Sequence, residues 1–496
     1  MPVLPNTRIH SSRAGRWLVQ VVAARLSPEG LARAVQAALL LGLFLVLGCA
    51  TARGPAGISE AAPDPSAVQS LYLSGVPHTD AQGNLRSAYD SASFFPRCIY
   101  HAVPGSFAAI KAAGFNCVHT WEGVGIADVI DELRSSGLQL IMHSPSDEEV
   151  RQFAADPRIL GWYLDEEPTS HTYLEMRRTG KLDAAATRHM AFVSRRAAIK
   201  ALDPGHPVFP LDGGGSPPGL DELWDLWNSS GDVTAHDHYP LLPGTEDIAA
   251  LPRSVLRAVR LNREQKPVWI TLQAFGGFPG LDDPPRMPTA VELRGMVFTA
   301  IIHGATGIIL FAYDSPVTRA GHVLGISPLT AESYGASDAA TPSQAAASRA
   351  LWAGAASLNV ELERLTPTLL SPTSSLSYTV EDLGSHRTAS PIRSLLKENG
   401  GVYTLLAANV ESRTVGARYR FSVAIRSVRR VHEDGSITVL ESDGSTFRDE
   451  LGAFAAAVYE VTFSSGIALG NSSTPDSAAS SSFSIFSRVP VPGAGT

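Results

Sequence analysis

From Phe94 onward, short apolar runs alternate with amphipathic stretches. The strand-like runs are Phe95–Ala102, Asn116–Trp121, Gln139–His143, Leu160–Leu164, Val208–Leu211, Val233–His236, Val268–Gln273 and Gly307–Ala312. Between and after them lie helical patterns at Ser106–Ala113, Ile126–Ser136, Glu148–Ala155, Ala184–Leu202, Leu220–Trp227, Ile248–Asn262, Ala290–His303 and Ser343–Leu365. Apolar residues recur there at helical spacing, as in Val129, Ile130 and Leu133. Gly114, Gly137 and Gly304 follow three of these helices, where a left-handed residue ends the turn. Alternating strands and helices imply a parallel sheet with crossovers, and eight such units close a (β/α)8 TIM barrel. No glycine-rich dinucleotide turn follows the first strand, which argues against an open doubly wound sheet.

After Leu365 the pattern changes to short β-type runs separated by Gly, Asn, Asp and Ser: Leu376–Glu381, Val402–Val410, Tyr419–Val423, Val428–Glu433, Ile437–Glu441 and Phe454–Phe463. They predict a small antiparallel β-sandwich, with a hairpin at Glu433-Asp434-Gly435-Ser436. The chain therefore divides into an N-terminal signal at 1–49, a linker at 50–66, the barrel at 67–365, the sandwich at 366–465 and a Ser-rich tail at 466–496. In the signal region, arginines from Arg8 to Arg33 precede the apolar run Ala37 to Leu47, which is short for a bilayer span and suits export. An uncleaved signal anchor is the alternative. Val46-Leu47-Gly48-Cys49 resembles a bacterial lipobox, which implies lipidation at Cys49 and anchoring to the cell envelope; Ala50 after it implies the outer membrane. The formal net charge of −8 and the lack of a basic tract beyond the N-terminal region argue against a nucleic-acid partner. Three cysteines make no disulfide framework. Cys98 and Cys117 fall in neighbouring strands and read first as buried thiols, with a bridge as the alternative.

In a TIM barrel, chemistry gathers at the C-terminal ends of the strands. Those ends read Tyr100-His101, His119-Thr120-Trp121-Glu122, His143-Ser144, Asp165-Glu166-Glu167, Asp212-Gly213-Gly214-Gly215, His236-Asp237-His238-Tyr239, Gln273-Ala274-Phe275 and Tyr313-Asp314. Flat aromatic faces suit the C–H faces of a pyranose, while His, Asp and Gln supply directional hydrogen bonds to hydroxyls. Lys and Arg are scarce there, which disfavours a phosphate ligand. Three adjacent acids at the fourth strand crowd like charges, and crowding of that kind raises a carboxyl pKa. A carboxyl kept protonated near neutral pH is a general acid.

The segments Phe94-Phe95-Pro96, Ala113-Gly114-Phe115-Asn116, Gly161-Trp162-Tyr163-Leu164-Asp165-Glu166-Glu167-Pro168, His238-Tyr239-Pro240, Pro267-Val268-Trp269 and Gly304-Ala305-Thr306-Gly307 resemble, in order and spacing, the TIM-barrel glycoside hydrolases of the broad β-galactosidase/cellulase superfamily. The resemblance implies a poly- or oligosaccharide substrate and no cofactor. It implies that Glu167, before Pro168, is the acid/base, and that Glu166 holds the neighbouring sugar-contacting position. It places the nucleophile at the end of strand seven, where this chain has Gln273. An amide is a far poorer nucleophile than a carboxylate, so the partner acid must come from elsewhere. Asp237 on strand six is the first choice, a pairing with precedent in α-galactosidase-like barrels; Asp212 and Asp314 follow. Trp121, His119, Asp212, Tyr239, Gln273 and Tyr313 are expected to shape the sugar site. Three alternatives stay open: an inverting mechanism, a barrel that only binds glycan, and a metal hydrolase using His101, His119, His143, His236 and His238, although strand one lacks the His-x-His pair usual in metal-dependent barrels. The sequence reading assigns no metal.

Overall fold

The structure is a computed structural model that describes residues 72, 73, 76 and 94–464, apart from 122–123, 182, 216, 218, 244–246, 278–283, 316–317, 320–322, 329–339 and 385–389. The expected signal, Cys49, the linker 50–66 and the tail 466–496 lie outside the described residues. Eight parallel strands close a barrel: β1 (Arg97–Ile99), β2 (Cys117–His119), β3 (Gln139–His143), β4 (Ile159–Glu166), β5 (Val208–Asp212), β6 (Thr234–His238), β7 (Val268–Gln273) and, as the eighth, β9 (Gly307–Phe311). β9 pairs with β1 through Arg97↔Ile308 and completes the ring. Between β7 and β9, the two-residue β8 (Gly276–Gly277) pairs antiparallel with β10 (Val323–Leu324), tying together the loops that follow the seventh and eighth barrel strands.

The helices α1 (Phe107–Ala112), α2 (Ile126–Ser136), α3 (Asp147–Phe153), α4 (Pro168–Thr179), α5 (Asp183–Leu202), α6 (Asp221–Ser230), α7 (Leu251–Leu261), α8 (Ala290–Ile302) and α9 (Pro342–Leu369) alternate with the strands. Their apolar stripes, such as Ile126, Val129 and Leu133, share one core with the outward side chains of the strands. A second cluster, including Tyr100, Ile141, Leu160, Tyr163, Phe209, Leu211 and Trp269, fills the barrel interior. Cys98 and Cys117 belong to it, and they are joined as a disulfide rather than held as two thiols. They are direct register partners on β1 and β2 with Cα atoms 4.5 Å apart, within the ordinary reach of the bond.

One helix was not anticipated. α4 has no apolar stripe: its buried residues are Pro168, Thr169, Ser170 and Thr172. Pro168 stands in its first turn, where the missing N–H costs nothing.

Beyond α9, two antiparallel sheets form the sandwich, in the orders β11-β14-β18-β17 and β12-β13-β19-β15-β16. Their boundaries are β11 (Tyr378–Asp382), β12 (Ile392–Asn399), β13 (Val402–Asn409), β14 (Val415–Phe421), β15 (Ile425–Val431), β16 (Ile437–Leu440), β17 (Ser442–Asp443), β18 (Thr446–Leu451) and β19 (Ala456–Phe463). β12 and β18 went unread in the sequence; β18, with Arg448, Asp449 and Glu450, lacks an apolar alternation. Leu396, Leu405, Tyr419, Phe447 and Tyr459 lie between the sheets. The other face of the five-stranded sheet, with Leu395, Leu406 and Val458, joins the barrel core. There Arg294 of α8 donates to both oxygens of Glu361 at 2.8 Å and to the Ala456 carbonyl at 2.6 Å, linking α8, α9 and the sandwich.

Candidate active site

The strand that carries the acids is irregular, and the irregularity decides which acid faces where. β4 pairs Tyr163 with Phe209 but Asp165 with Pro210, so Leu164 is an extra residue in the β4–β5 ladder. Tyr163 belongs to the barrel interior. Strict alternation from it would turn Asp165 inward and Glu166 outward. One inserted residue reverses that order. Asp165 accordingly turns to α5, where Arg188 Nε donates to its two oxygens at 3.1 and 3.0 Å. Glu166 accepts hydrogen bonds on one oxygen from Tyr100 Oη at 2.5 Å and Tyr163 Oη at 2.8 Å.

Glu167 then breaks from the strand. Its φ of 39° and ψ of 50° lie in the left-handed region, and its N–H donates to the Leu211 carbonyl at 2.7 Å. A glutamate held there is strained by about 1–3 kcal/mol. Ends of two other strands show the same feature, with His101 at φ 60° and Ser144 at φ 44°. The bend is fastened by Asp212 at the end of β5, which accepts from the Thr169 N–H at 3.1 Å, the Thr169 hydroxyl at 2.6 Å and the Gly213 N–H at 2.9 Å. Asp212 thus satisfies an otherwise orphaned donor in the first turn of α4. Its hydrogen bonds go to the protein, and burial raises its pKa to about 7 despite them.

Across the mouth, β6 alternates regularly. Ala235 faces the barrel interior, and Asp237, two residues on, lies on the same side. His236 instead packs edge-on against Trp224 of α6, and His238 Nδ1 lies 3.0 Å from Ser254 Oγ of α7. The two histidines therefore turn away from the centre. Asp237 is 3% exposed and Glu167 2% exposed, and each carboxyl feels the charge of the other. Asp237 Oδ1 accepts from the Gly214 N–H at 3.0 Å, and Oδ2 is buried without a partner. Only glycine fits at 214, since a Cβ there would stand 2.3 Å from the Asp237 carbonyl oxygen. Gly214 is thus a close-packed hydrogen-bond donor.

Charge states follow from burial. Desolvation first, then the neighbouring Asp237, pushes Glu167 well above the ordinary carboxyl range. Desolvation raises Asp237 to about 7. Among the described residues no lysine or arginine pairs with either group. Burial moves the nearby histidines the opposite way: His101 to about 3, His143 to about 4, and His119 well below its usual value. They are neutral rings at physiological pH.

An aromatic wall lines the same end of the barrel. Tyr100 stacks on His119 at 3.8 Å between centroids, and Trp121 stacks on His143 at 5.3 Å. Phe311 bridges Tyr100 at 5.2 Å and Tyr239 at 5.7 Å. Trp121, Tyr239 and Phe311 are half-exposed and supply the open faces of this wall. Tyr163 and Phe311 were not singled out from the sequence. Tyr163 sits on the inward side of an apolar strand, and Phe311 closes one; neither carries a polar neighbour pattern to mark it.

Two expected sugar contacts are engaged elsewhere. Tyr313 packs in the outer layer, edge-on to Trp352 of α9 at 5.9 Å. Gln273 is fully buried: its Oε1 accepts the Leu241 N–H at 3.0 Å, and its Nε2 donates to the carbonyls of Arg286 at 3.2 Å and Phe275 at 3.4 Å. It fastens the loops after β6 and β7. Asp314, the other acid considered, is fully buried against Arg319, whose Nε lies 2.9 Å from Oδ1. Among the described residues, no three His, Cys, Asp or Glu side chains are arranged to hold a metal ion.

No family model and no curated protein sequence matches the chain. Solved structures with a similar chain course include a family 39 glycoside hydrolase from Bacteroides cellulosilyticus WH2, at 13% identity over 74% of this chain and 81% of that one, with a TM-score of 0.42. A β-galactosidase from Bacillus circulans sp. alkalophilus is 10% identical over 74% of this chain and 99% of its own, with a TM-score of 0.48. A GH27 β-L-arabinopyranosidase from Geobacillus stearothermophilus is 11% identical over 77% and 99%, with a TM-score of 0.45. The barrel assignment rests on the strand order itself.

Proposed function

We propose that the protein is an exported glycoside hydrolase acting on a poly- or oligosaccharide, with Glu167 as acid/base and Asp237 as its partner. The observation that carries this reading is the buried Glu167–Asp237 pair at the C-terminal end of the barrel, next to half-exposed aromatic faces. Of two interacting carboxyls, one ionises first and the other retains its proton, which divides the roles. Asp237, raised less, becomes the carboxylate; Glu167 keeps the proton and donates it to the departing glycosidic oxygen. We take the pair to act by double displacement, for which the carboxyls stand ~5–5.5 Å apart; measuring the anomer first released tests this, since a pair ~6.5–9.5 Å apart would invert. Asp237 attacks the anomeric carbon as the glycosidic C–O bond breaks and forms a glycosyl ester. Glu167, now ionised, takes a proton from water, whose oxygen displaces Asp237 and restores both groups.

Export as an envelope lipoprotein is supported by the Cys49 motif and by the Cys98–Cys117 disulfide, a bond typical of oxidising compartments. Cys49→Ser is expected to release the protein from the membrane fraction; unchanged retention would exclude the lipid anchor.

The amide at Gln273 favours a second reading, a barrel that binds glycan without cleaving it. Reducing-end release from a glycan panel by wild type and Glu167→Gln separates the two. Turnover by wild type that falls at least 100-fold in the variant supports the hydrolase. Equal turnover by both removes Glu167 from its role, and binding without turnover by wild type leaves the binding module.

A further inference from the structure

The side chains around the buried acids decide which bond of a glycan can reach them. Rings follow one another from the end of β3 to the end of β6, by way of β2, β1, β9 and β7. His143 closes β3 and lies 5.3 Å from Trp121, just beyond β2. Trp121 lies 4.6 Å from His101, just beyond β1, and His101 lies 5.3 Å from Phe311, the last residue of β9. Phe311 in turn lies 5.6 Å from Phe275 and 5.7 Å from Tyr239, which follow β7 and β6, and these two stand 5.2 Å apart. Neighbouring rings touch at such centroid separations, so no sugar passes between them.

The collar is braced as well as continuous. β8 begins next to Phe275 and pairs with β10, which joins the loops after the seventh and eighth barrel strands. Gln273 fastens the loops after β6 and β7 through Leu241 and Arg286. The ends of β4 and β5 carry no ring of this collar. Beyond Glu167 the chain turns into α4, and beyond Asp212 come Gly213, Gly214 and Gly215, which have no side chains. Among the described residues the collar therefore has its break at β4 and β5, beside Glu167.

A polysaccharide held by its interior needs a way in and a way out on opposite sides of the reacting bond. A collar broken on one side is a blind pocket, and its floor is deep enough to leave Glu167 2% and Asp237 3% exposed. We propose that the protein acts at chain ends, taking one non-reducing terminal sugar into the pocket and releasing it as a monosaccharide. The inference rests on the reading of Glu167 and Asp237 as the acid/base and its partner. Asp237 attacks the anomeric carbon of the sugar inside, which ends with the hydroxyl of water. The remaining chain departs through the break, where Glu167 gives the leaving oxygen its proton. With a reducing-end sugar in the pocket, the anomeric carbon to be attacked would belong to the next sugar out, away from Asp237.

The test is the initial product pattern of the wild-type protein. The probes are soluble glucans, mannans, xylans and galactans, together with their tetramers before and after reduction of the reducing end to an alditol. Products are separated by chromatography. From whichever polymer is cut, monosaccharide is expected first, in about tenfold excess over all longer products, because end and interior bonds compete by their kcat/KM ratio. The matching alditol tetramer is expected to yield free monosaccharide and an alditol trimer. Early di- to tetrasaccharides from the polymer overturn the inference and leave the hydrolase reading standing. So does an alditol tetramer that stays intact while its untreated parent is cut. Cleavage of no probe overturns both.

Discussion

Asp237→Asn isolates the energetic consequence of burying an acid without a cation. The native state lifts the Asp237 pKa from its ordinary 3.8 to about 7, chiefly by desolvation. Its sign is fixed: the folded protein holds a proton that the unfolded chain has already released. The stabilising contribution is therefore complete below pH 4 and is lost as pH climbs through 7. Each pH unit in that window costs about 1.4 kcal/mol, so the whole window amounts to about 4 kcal/mol, of which about 3 kcal/mol falls between pH 5 and 8. Asn is close to isosteric with the protonated acid, its carbonyl keeps the Gly214 N–H, and it has no charge to desolvate. At pH 4.5 the variant is expected to match wild type within about 1 kcal/mol. At pH 8 it is expected to be more stable by about 3 kcal/mol while inactive as a glycosidase. Denaturant titrations under non-reducing conditions, at both pH values, read the difference directly. A gap between variant and wild type that is the same at pH 4.5 and pH 8 would refute the reasoning, because a group ionising in an ordinary range contributes no such slope.

The pair also shapes activity against pH. With Asp237 ionising near 7 and Glu167 well above its usual range, kcat/KM should rise through neutrality and fall only in alkali, and an optimum near pH 5 with decline by pH 7 would show that burial does not raise the pair. Gln273→Glu should not create a nucleophile: it replaces two amide N–H donors with acceptors facing the carbonyls of Phe275 and Arg286, and should lower stability by about 1–3 kcal/mol, measured by thermal and denaturant unfolding. A gain in turnover without loss of stability would contradict that. Replacing Cys98 and Cys117 by alanine opens a loop of sequence separation 19 and should cost about 3 kcal/mol in the same unfolding assay, whereas an unchanged midpoint would show that the bridge constrains little.

The barrel was legible because each strand–helix unit repeats the same two periods, and the strand boundaries followed from where apolar runs stop. That Glu167 and Asp237 stand at strand ends on one rim was legible because both fall at such stops. What could not be read was direction. The order in which Asp165 and Glu166 face the site depends on one inserted residue at Leu164, a property of the pairing with β5 and not of β4 alone. Tyr313 follows a strand end as Trp121 does, yet packs outward against Trp352. Gln273 and Asp212 are polar strand ends consumed by backbone donors and acceptors that come from distant loops. α4 was missed because its buried face is built of Thr, Ser and Pro, whose burial has no apolar signature.

The acids of the mouth are sorted by their partners, not by their type. Asp165 and Asp314 each form an ion pair, with Arg188 and Arg319. Asp212 meets hydrogen-bond donors but no cation, and is lifted to about 7 by burial. Glu167 and Asp237 meet chiefly each other. An arginine beside Glu167 would hold it ionised and deprive it of a proton to give. With the extra residue in β4 turning Asp165 outward to Arg188, the left-handed turn at Glu167 takes the next acid off the strand and away from that arginine.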